Sequence, residues 1–506
     1  MGEVDVLRVT VSGGGPVGLA FALTLEHLLG SRVAITVHDT RWVRDGCGVR
    51  WRTVAEGNAR RRQVVTVQSR QFRALPPAVC EHLFTPGAWS EMWPAGADSV
   101  DGLRPRNVRI AHVEDRLLEL AHAASRIRLV PGEFDPATTS GSHVLAICEG
   151  ARSATREHFA DRFGAADPAP YSLRGEQVRD VVLGLRVRSR LPDPAAVLLT
   201  VAQNRFLLNT VDGDGYLNMR LTRAEARELV AVDPVRRVLA PCLRHTPCVL
   251  ERAGGDRFRC DVHGALLLPA LVAGSALWAR VRDGLRLFDI AEDDVGAATG
   301  FRLDMAARSR FSAELLPGTY GFLLGDAANA IHFWPGRGLN SGWASAVSLA
   351  RCLARGRAAA RPGTPLRDAD LTRHEAVMAM LQYRHKSRAW RQMVAPDARG
   401  ETHQIRDVIA DGLAAAATAD RSADLTALVA RAAAIRDRLA ARLPGAPGDA
   451  ELRAHLDRLA TATLHTLRRS GAWDTAGTAG EEVDVAWVLP DPDPAPSAGE
   501  PAGVAA

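Results

Sequence analysis

Three short glycine-rich stretches carry the residues whose types and spacing suit chemistry. The first, Gly13-Gly14-Gly15-Pro16-Val17-Gly18, is a GxGxxG turn. Such a turn means little alone, but here its context is complete: a β-branched, alternating run (Val4–Ser12) precedes it, a helically spaced run (Pro16–Leu29) follows, and a second strand (Arg32–His38) comes next. In that setting Gly13 permits the tight turn, Gly15 lets a pyrophosphate approach the backbone, and Gly18 lets helix and strand pack closely. Pro16 and Val17 open the helix, whose unpaired N–H groups face a phosphate. Asp39 ends the second strand, 21 residues after Gly18, where an acid accepts hydrogen bonds from ribose hydroxyls. His38 is its neighbour and its rival for that role. No second GxGxxG follows a strand, which favours one resident dinucleotide, FAD, over two bound at once.

The second stretch, His143–Arg156, reads HVLAICEGARSATR: an apolar strand, then Glu149-Gly150, then a polar helix start. The third, residues 325–342, reads GDAANAIHFWPGRGLNSG. Asp326 follows an apolar run, and Gly336, Gly338, Leu339 and Asn340 lead into a helical pattern over 337–356. Gly338, Leu339 and Asn340 offer the free N–H groups of a helix start, which stabilise negative charge by about 0.3–1 kcal/mol.

Taken in order, the three stretches resemble the motifs of p-hydroxybenzoate-hydroxylase-type flavoprotein monooxygenases (group A). Gly150, Ala151, Ser153 and Arg156 match that family's second motif, with Glu149 where Asp is usual. The third motif matches at Gly325-Asp326-Ala327-Ala328 and again at Gly336, Gly338 and Asn340. Asn329 stands in place of His, Pro335 is displaced, and Ser345 replaces an Asp. The Phe333-Trp334-Pro335 element loosely resembles the flavin monooxygenase domain of the MICAL proteins. The resemblance covers about residues 4–360. It implies FAD as resident cofactor, NADPH or NADH as transient reductant and O2 as co-substrate, with hydroxylation of a small metabolite through a flavin C4a-hydroperoxide. It implies Asp326 on the flavin ribityl chain, Gly338–Asn340 at the ring, and an arginine near Arg60-Arg61-Arg62 reaching the cofactor. Arg62 is the first choice there and Arg61 the second. His112, early in a helical run, holds a position where the family contacts the cofactor. Glu149 keeps the charge of the usual Asp, but its extra methylene carries the carboxylate outward.

The residues expected nearest the chemistry are His332, able to hold a substrate proton, and Trp334, as wall or catalyst, with Phe333 and Pro335 beside them. In the middle of the chain Tyr216, Asn218 and Arg220 share one strand face, and Arg220 suits a substrate carboxylate. N-oxygenation of an amine or amino acid on the same fold is the alternative activity. A flavin reductase or oxidase, or a degenerate flavin-binding module, is the further one. A flavin halogenase ranks low, because the chain has no WxW and its only lysine, Lys386, lies within QYRHKSRAW in the late helices.

The elements needed to position these residues predict an α/β protein, α+β overall. The expected parts are a Rossmann-like FAD-binding domain (1–75, 100–170, 300–365), an inserted antiparallel-sheet substrate domain (76–99, 171–299), a helical C-terminal region (366–470) and an unstructured tail (471–506). Val178–Val187, Ala196–Ala202, Arg205–Thr210 and Tyr216–Leu221 read as strands, with Asp212-Gly213-Asp214-Gly215 as a hairpin turn. Arg41–Gln63 reads as irregular, and Ala265–Leu287 as either helix or strand. His385, Lys386, Arg388 and Trp390 form a basic aromatic group on a late helix.

Composition sets the outer limits. A chain of 506 residues with 47% hydrophobic content builds two or three cores. The net charge of +5 rests almost wholly on arginine, and no arginine block interleaves with aromatics, so a nucleic-acid partner is not expected. Seven dispersed cysteines (47, 80, 148, 242, 248, 260 and 352) form no CxxC and no evident zinc spacing. They point to reduced thiols in a cytoplasm, with no metal. No run suits a signal sequence or a membrane span. A small-molecule substrate and a monomer or homodimer complete the expectation.

Overall fold

The computed structural model describes residues 6–489, apart from 59, 92–103, 231–238, 245–247, 256, 268–275, 335, 360–367, 398, 441–442, 474–482 and 484. Two sheets organise it. The first has six strands in the order Ser312–Leu316, Thr319–Leu323, Val144–Ile147, Leu7–Ser12, Val33–Asp39, Ile127–Pro131. All neighbours are parallel except the outer Ser312–Leu316 pair. Val144, Leu145, Ala146 and Ile147 are all buried, as expected for a parallel strand covered on both faces. The helices Pro16–Leu29 and Gly338–Ala359 lie against each other, and the close approach of Gly342 to Val17 makes that contact possible.

The second sheet has seven strands, ordered Phe206–Val211, Asp214–Leu221, Arg179–Arg188, Ala297–Asp304, Leu250–Arg252, Phe258–Arg259, Leu266–Leu267, with every printed pairing antiparallel. Asp212 (φ 52°) and Gly213 (φ 80°) are both left-handed, which makes the expected hairpin turn between the first two of these strands. One face of the sheet (Leu183, Leu185, Leu217, Met219) is buried under the helices Asp193–Val201, Ala276–Leu287 and Arg421–Arg438. The α/β class with a parallel sheet and a separate antiparallel sheet is therefore as expected.

Several local expectations need correction. Ala196–Ala202 forms the end and cap of the helix Asp193–Val201, not a strand: Pro194 sits in the first turn, and the half-buried positions 194 and 197 are apolar like the buried ones, so no polar period shows. Arg41–Gln63 contains a hairpin, Trp42–Asp45 with Gly48–Trp51, whose two tryptophans pack edge to face. Ala265–Leu287 divides: Leu266–Leu267 is strand and Ala276–Leu287 helix.

The domain bounds also shift. Val79, Leu83 and Phe84 join the core of the first sheet, and Trp89–Glu91 pairs with Arg106–Arg109, so 76–91 does not belong with the second sheet; 92–99 lies outside the described residues. Gly300–Asp304, expected with the first domain, continues a strand of the second sheet. The late helices serve both cores: Val377, Met378 and Leu381 join the first, while Leu425–Leu467 contributes to the second. The region also holds a strand pair, Val394–Pro396 with Thr402–Gln404. Of the expected tail, Val485 and Leu489 are buried in the first core and the Trp473 N–H donates to the Val201 carbonyl. Val485–Val488 is a short helix, and 474–482, 484 and 490–506 lie outside the described residues.

Candidate functional site

The carboxyl ends of four neighbouring parallel strands stand side by side: Ser12 is in register with Ile147 and with His38, and Ile147 with Leu323. The GxGxxG turn, Glu149-Gly150, Asp39 and Gly325-Asp326 follow those ends directly, so three motifs spread over more than three hundred residues meet in one row. They also touch. Gly13 has φ 101°, and a Cβ there would lie 2.6 Å from the Cys148 carbonyl and 2.7 Å from the Glu149 nitrogen. Val17 wedges between Gly325 and Gly342, where added Cβ atoms would approach it to 3.1 and 2.5 Å. The Trp343 indole N–H donates to the Pro16 carbonyl at 3.2 Å. Gly15 caps the first helix with no side-chain hydrogen bond, leaving its N–H groups to a ligand.

Asp326 opens the short helix Asp326–Asn329 and is exposed to solvent, although protein surrounds it. It therefore lines a hollow. The surrounding protein pushes its carboxyl above the usual range, against the opposing pull of Arg61 and Lys386. A Cβ on Gly338, at the start of the long helix, would stand 3.8 Å from the Asp326 Oδ1. Leu339 is half-buried beside it. Asn340 is fully buried, and its side chain ties the helix start to the neighbouring strand: Oδ1 accepts from the Gln68 N–H at 2.7 Å, and Nδ2 donates to the carbonyls of Thr66 (2.8 Å) and Gly336 (3.1 Å). Gly336 has φ 66°, a left-handed turn that glycine adopts without strain. The departures at Asn329 and Ser345 have local explanations. The Asn329 Nδ2 donates to the Ser341 hydroxyl (3.1 Å), and the Ser345 hydroxyl accepts from the Gly325 N–H (3.1 Å).

The first two acids differ from expectation. The Glu149 carboxylate turns inward, not outward: it accepts from the hydroxyls of Ser12, Ser153 (2.6 Å) and Thr155 (2.5 Å) and from the Thr155 N–H (3.0 Å). Burial alone would raise its pKa, yet these hydrogen bonds bring it below the ordinary value. Asp39 is buried and held by Arg41, through its backbone N–H (2.8 Å), Nε (3.0 Å) and Nη2 (2.7 Å). Arg41, absent from the sequence expectation, also pairs with Glu114 at 2.8 Å. Its Nη2 lies 3.2 Å from where a Cβ on Gly15 would be, at the mouth of the turn. The Trp51 ring has Arg41 and Arg60 against it at 4.8 and 5.0 Å. The signal was the Asp-x-Arg spacing directly after the second strand.

Of the arginine run, Arg61 acts on Asp326, whereas Arg62 acts on Tyr216 in the second sheet. The ring Nε2 of His112 bonds the Leu83 carbonyl at 2.9 Å, which ties that histidine to a neighbouring helix.

The residues expected nearest the chemistry form a buried brace. His332 is wholly buried; its Nδ1 accepts from the Trp334 N–H (3.2 Å), so its Nε2–H donates to Asp180 (3.1 Å). Burial lowers its pKa, against the raising effect of Asp180. Arg220, also wholly buried, pairs with Asp180 at 3.0 Å and donates to the carbonyls of Asn204 (3.1 Å) and Gln392 (2.6 Å). The buried Trp334 ring lies 4.5 Å from its guanidinium carbon. His332, Trp334 and Arg220 therefore hold the 331–337 segment onto the second sheet, and Arg220 has no free edge for a substrate carboxylate. Asn218 is 6% exposed and fills the space left by Gly184 on the adjacent strand. Pro335 lies outside the described residues. What faces open space beside the brace is aromatic: half-buried Phe301 and Phe333, their ring centroids 5.5 Å apart. The late basic aromatic group is no surface patch: His385, Lys386 and Arg388 are buried, and the Lys386 amine donates to the Ala306 carbonyl, its pKa lowered by burial to about 7.

Among the described residues, one grouping was not evident from the sequence spacing. Cys242, Cys248, Cys260 and His263 bring one ligand atom each to within 4.8 Å of one another.

No family model matches the chain, and no curated protein matches it. Solved structures do. PqsL, a probable FAD-dependent monooxygenase from Pseudomonas aeruginosa, is 15% identical over 76% of this chain and 94% of its own, with a TM-score of 0.45. The tetrameric form of 2-methyl-3-hydroxypyridine-5-carboxylic acid oxygenase is 16% identical over 76% and 88%, with a TM-score of 0.41. RebC, soaked with chromopyrrolic acid and holding 7-carboxy-K252c, is 18% identical over 77% and 68%, with a TM-score of 0.42. No helix among the described residues is long and apolar enough to cross a membrane.

Proposed function

We propose that this chain is an FAD-dependent monooxygenase that uses NADPH or NADH and hydroxylates a small, planar, largely apolar metabolite. One observation carries the reading: three glycine motifs converge at the ends of adjacent parallel strands, around a hollow whose exposed acid is Asp326. A crevice at the carboxyl ends of such strands is where a doubly wound sheet takes a dinucleotide. The residues fit FAD. Gly13, Gly15, Pro16, Val17 and Gly18, with the open N–H groups of the first helix and the Arg41 guanidinium, suit a pyrophosphate. Asp326 suits sugar-chain hydroxyls, and Gly338 and Leu339 present the N–H groups of a second helix start, which stabilise negative charge. Glu149 and Asn340 shape the site through their own bonds, and Asp39 by orienting Arg41.

Bound flavin supplies electron transfer from a nicotinamide and activation of oxygen. The chain needs no acid–base pair for this. Its own contribution is to bind, to exclude water and to orient the substrate. The 331–337 segment, braced on Asp180, holds Phe333 against Phe301, and this half-buried aromatic surface suits an apolar ring packed on it. The function is tested on purified protein. Flavin absorbance with FAD released on denaturation, NAD(P)H oxidation stimulated by aromatic test substrates, and isotopic oxygen from O2 in the product are expected. Colourless protein that takes up no added FAD refutes the reading. Reduction without oxygen incorporation refutes the monooxygenase part of it.

A further inference from the structure

We propose that Cys242, Cys248, Cys260 and His263 bind one zinc ion that staples the edge of the second sheet. The four residues come from separate elements. Cys242 is on the short helix Ala240–Arg244, Cys248 precedes the strand Leu250–Arg252, Cys260 directly follows Phe258–Arg259, and His263 lies in the turn before Leu266–Leu267. Their spacing, C-x5-C-x11-C-x2-H, lacks the paired cysteines by which zinc sequences are usually recognised. The His263 Nδ1 lies 3.7 Å from Cys242 Sγ, 3.3 Å from Cys248 Sγ and 3.7 Å from Cys260 Sγ. With Zn–S near 2.3 Å and Zn–N near 2.05 Å, a tetrahedron has an S···N edge of about 3.6 Å. All three distances straddle that value.

The arrangement makes poor sense without a cation. One imidazole lone pair accepts one thiol proton at a time, yet three sulfurs converge on it. No disulfide joins any of the cysteines. The His263 backbone N–H also points at Cys260 Sγ (3.5 Å), which fixes the turn that carries both residues. Three thiolates and one neutral imidazole form a complete, soft ligand set selective for zinc, with no open position for catalysis. On binding, Zn2+ displaces the three thiol protons, which go to solvent, and the oxidation state does not change.

The site has a mechanical purpose. The strands Phe258–Arg259 and Leu266–Leu267 have two residues each, too few for ladder bonds alone to hold them at a sheet edge. Cys242 and Cys260 are buried in the second core, away from the glycine motifs, which belong to the first. The metal is thus structural and separate from the proposed flavin chemistry.

The test is elemental analysis of untagged, full-length protein prepared in metal-free buffer, together with cobalt substitution. About one zinc per chain is expected, released when a mercurial reagent titrates the thiols. Cobalt-loaded protein should show thiolate charge-transfer absorption and the d–d bands of a tetrahedral site with three sulfur ligands and one nitrogen. Cys260→Ser and His263→Ala should each lose the metal, whereas Cys47→Ser, at an exposed cysteine outside the cluster, should keep it. If Cys260→Ser does not yield soluble protein, His263→Cys reads the site instead: it should retain metal and shift the cobalt spectrum towards that of a four-thiolate site. Protein holding less than about 0.1 zinc per chain and binding no added zinc or cobalt overturns the proposal. So does a native mass two hydrogens light, which marks a disulfide within the trio.

Discussion

Replacing Asp180 by Asn tests whether the His332 region is a brace or a reaction centre. Asp180 is 1% exposed and is the partner of both Arg220 and His332, at 3.0 and 3.1 Å. Burial pushes its carboxyl up, but Arg220 and then His332 pull it below the usual range, so it is ionised at neutral pH. The substitution removes the charge and nearly nothing else: an amide oxygen still accepts from His332. Arg220 then stays buried with the Asn204 and Gln392 carbonyls and the Trp334 face as its company. Breaking a buried pair from one side costs about 3–5 kcal/mol, and the two retained carbonyl bonds place this case near about 3 kcal/mol. The loss should be local, in the strand Arg179–Arg188 and the 331–337 segment. Hydrogen exchange of those peptides, run beside urea unfolding, is therefore the assay, since a chain with two cores need not unfold in one step. Asp180→Leu combined with Arg220→Met, which replaces the pair by apolar groups, should recover only part of the loss, because the His332 Nε2–H and the Asn204 and Gln392 carbonyls lose their partners. Stability within about 1 kcal/mol of the parent, with unchanged exchange over 331–337, would refute the brace.

The remaining predictions use the same logic elsewhere. Asp326→Ala should leave the melting temperature of flavin-free protein nearly unchanged, because the residue is exposed, while weakening FAD about 10–100-fold for the loss of a charge-assisted hydrogen bond; scanning calorimetry reads the first and isothermal titration the second. Gly18→Ala places a methyl on the Gly13 carbonyl oxygen and should cost about 3 kcal/mol together with the flavin, whereas Gly150→Ala, with open space around it and only φ 87° against it, should cost about 1–2 kcal/mol. His374 is buried with its pKa lowered by desolvation to about 3. Below pH 6.5 the unfolded chain takes up a proton that the folded chain refuses. Stability should then fall as pH drops towards 3, by at most about 5 kcal/mol, and His374→Gln should remove about one proton from the slope measured by urea unfolding.

Legibility in the sequence followed the range of the interactions. The glycine turn, its strand and helix, and the Asp212–Gly213 hairpin are settled by neighbours within a few residues, and a sequence period or a turn residue reports them. Helix Asp193–Val201 was misread because its half-buried positions, Pro194 and Val197, are apolar like its buried ones and set no period. The brace was invisible for another reason: Asp180 and His332 are 152 positions apart, and neither belongs to a motif. A lone histidine two residues before a tryptophan reads more readily as core than as catalyst. The cysteine cluster was missed because its ligands span four elements, and only the pairing of three very short strands brings them together.

The acids show how a motif keeps its place while changing its task. Asp39 and Glu149 both lie where a carboxylate was expected to reach the cofactor, and in both the carboxylate is occupied from within the protein. Asp39 orients Arg41, and Glu149 collects three hydroxyls and an N–H. Turning these acids inward leaves Arg61 as a charge acting on Asp326 and two helix N-termini, while Arg41, held by Asp39 and Glu114, keeps its Nη2 at the mouth of the turn. Asp326 is the exposed acid among them. That balance is the one a pyrophosphate next to sugar hydroxyls requires: positive where the anion lies, and a single acceptor where the hydroxyls lie. On the proposed reading, the exchange of Asp for Glu at position 149 is compatible with a cofactor in the hollow. The longer side chain reaches back to the helix start at Ser153–Thr155, and by leaving the hollow it lowers the repulsion an anionic ligand meets there.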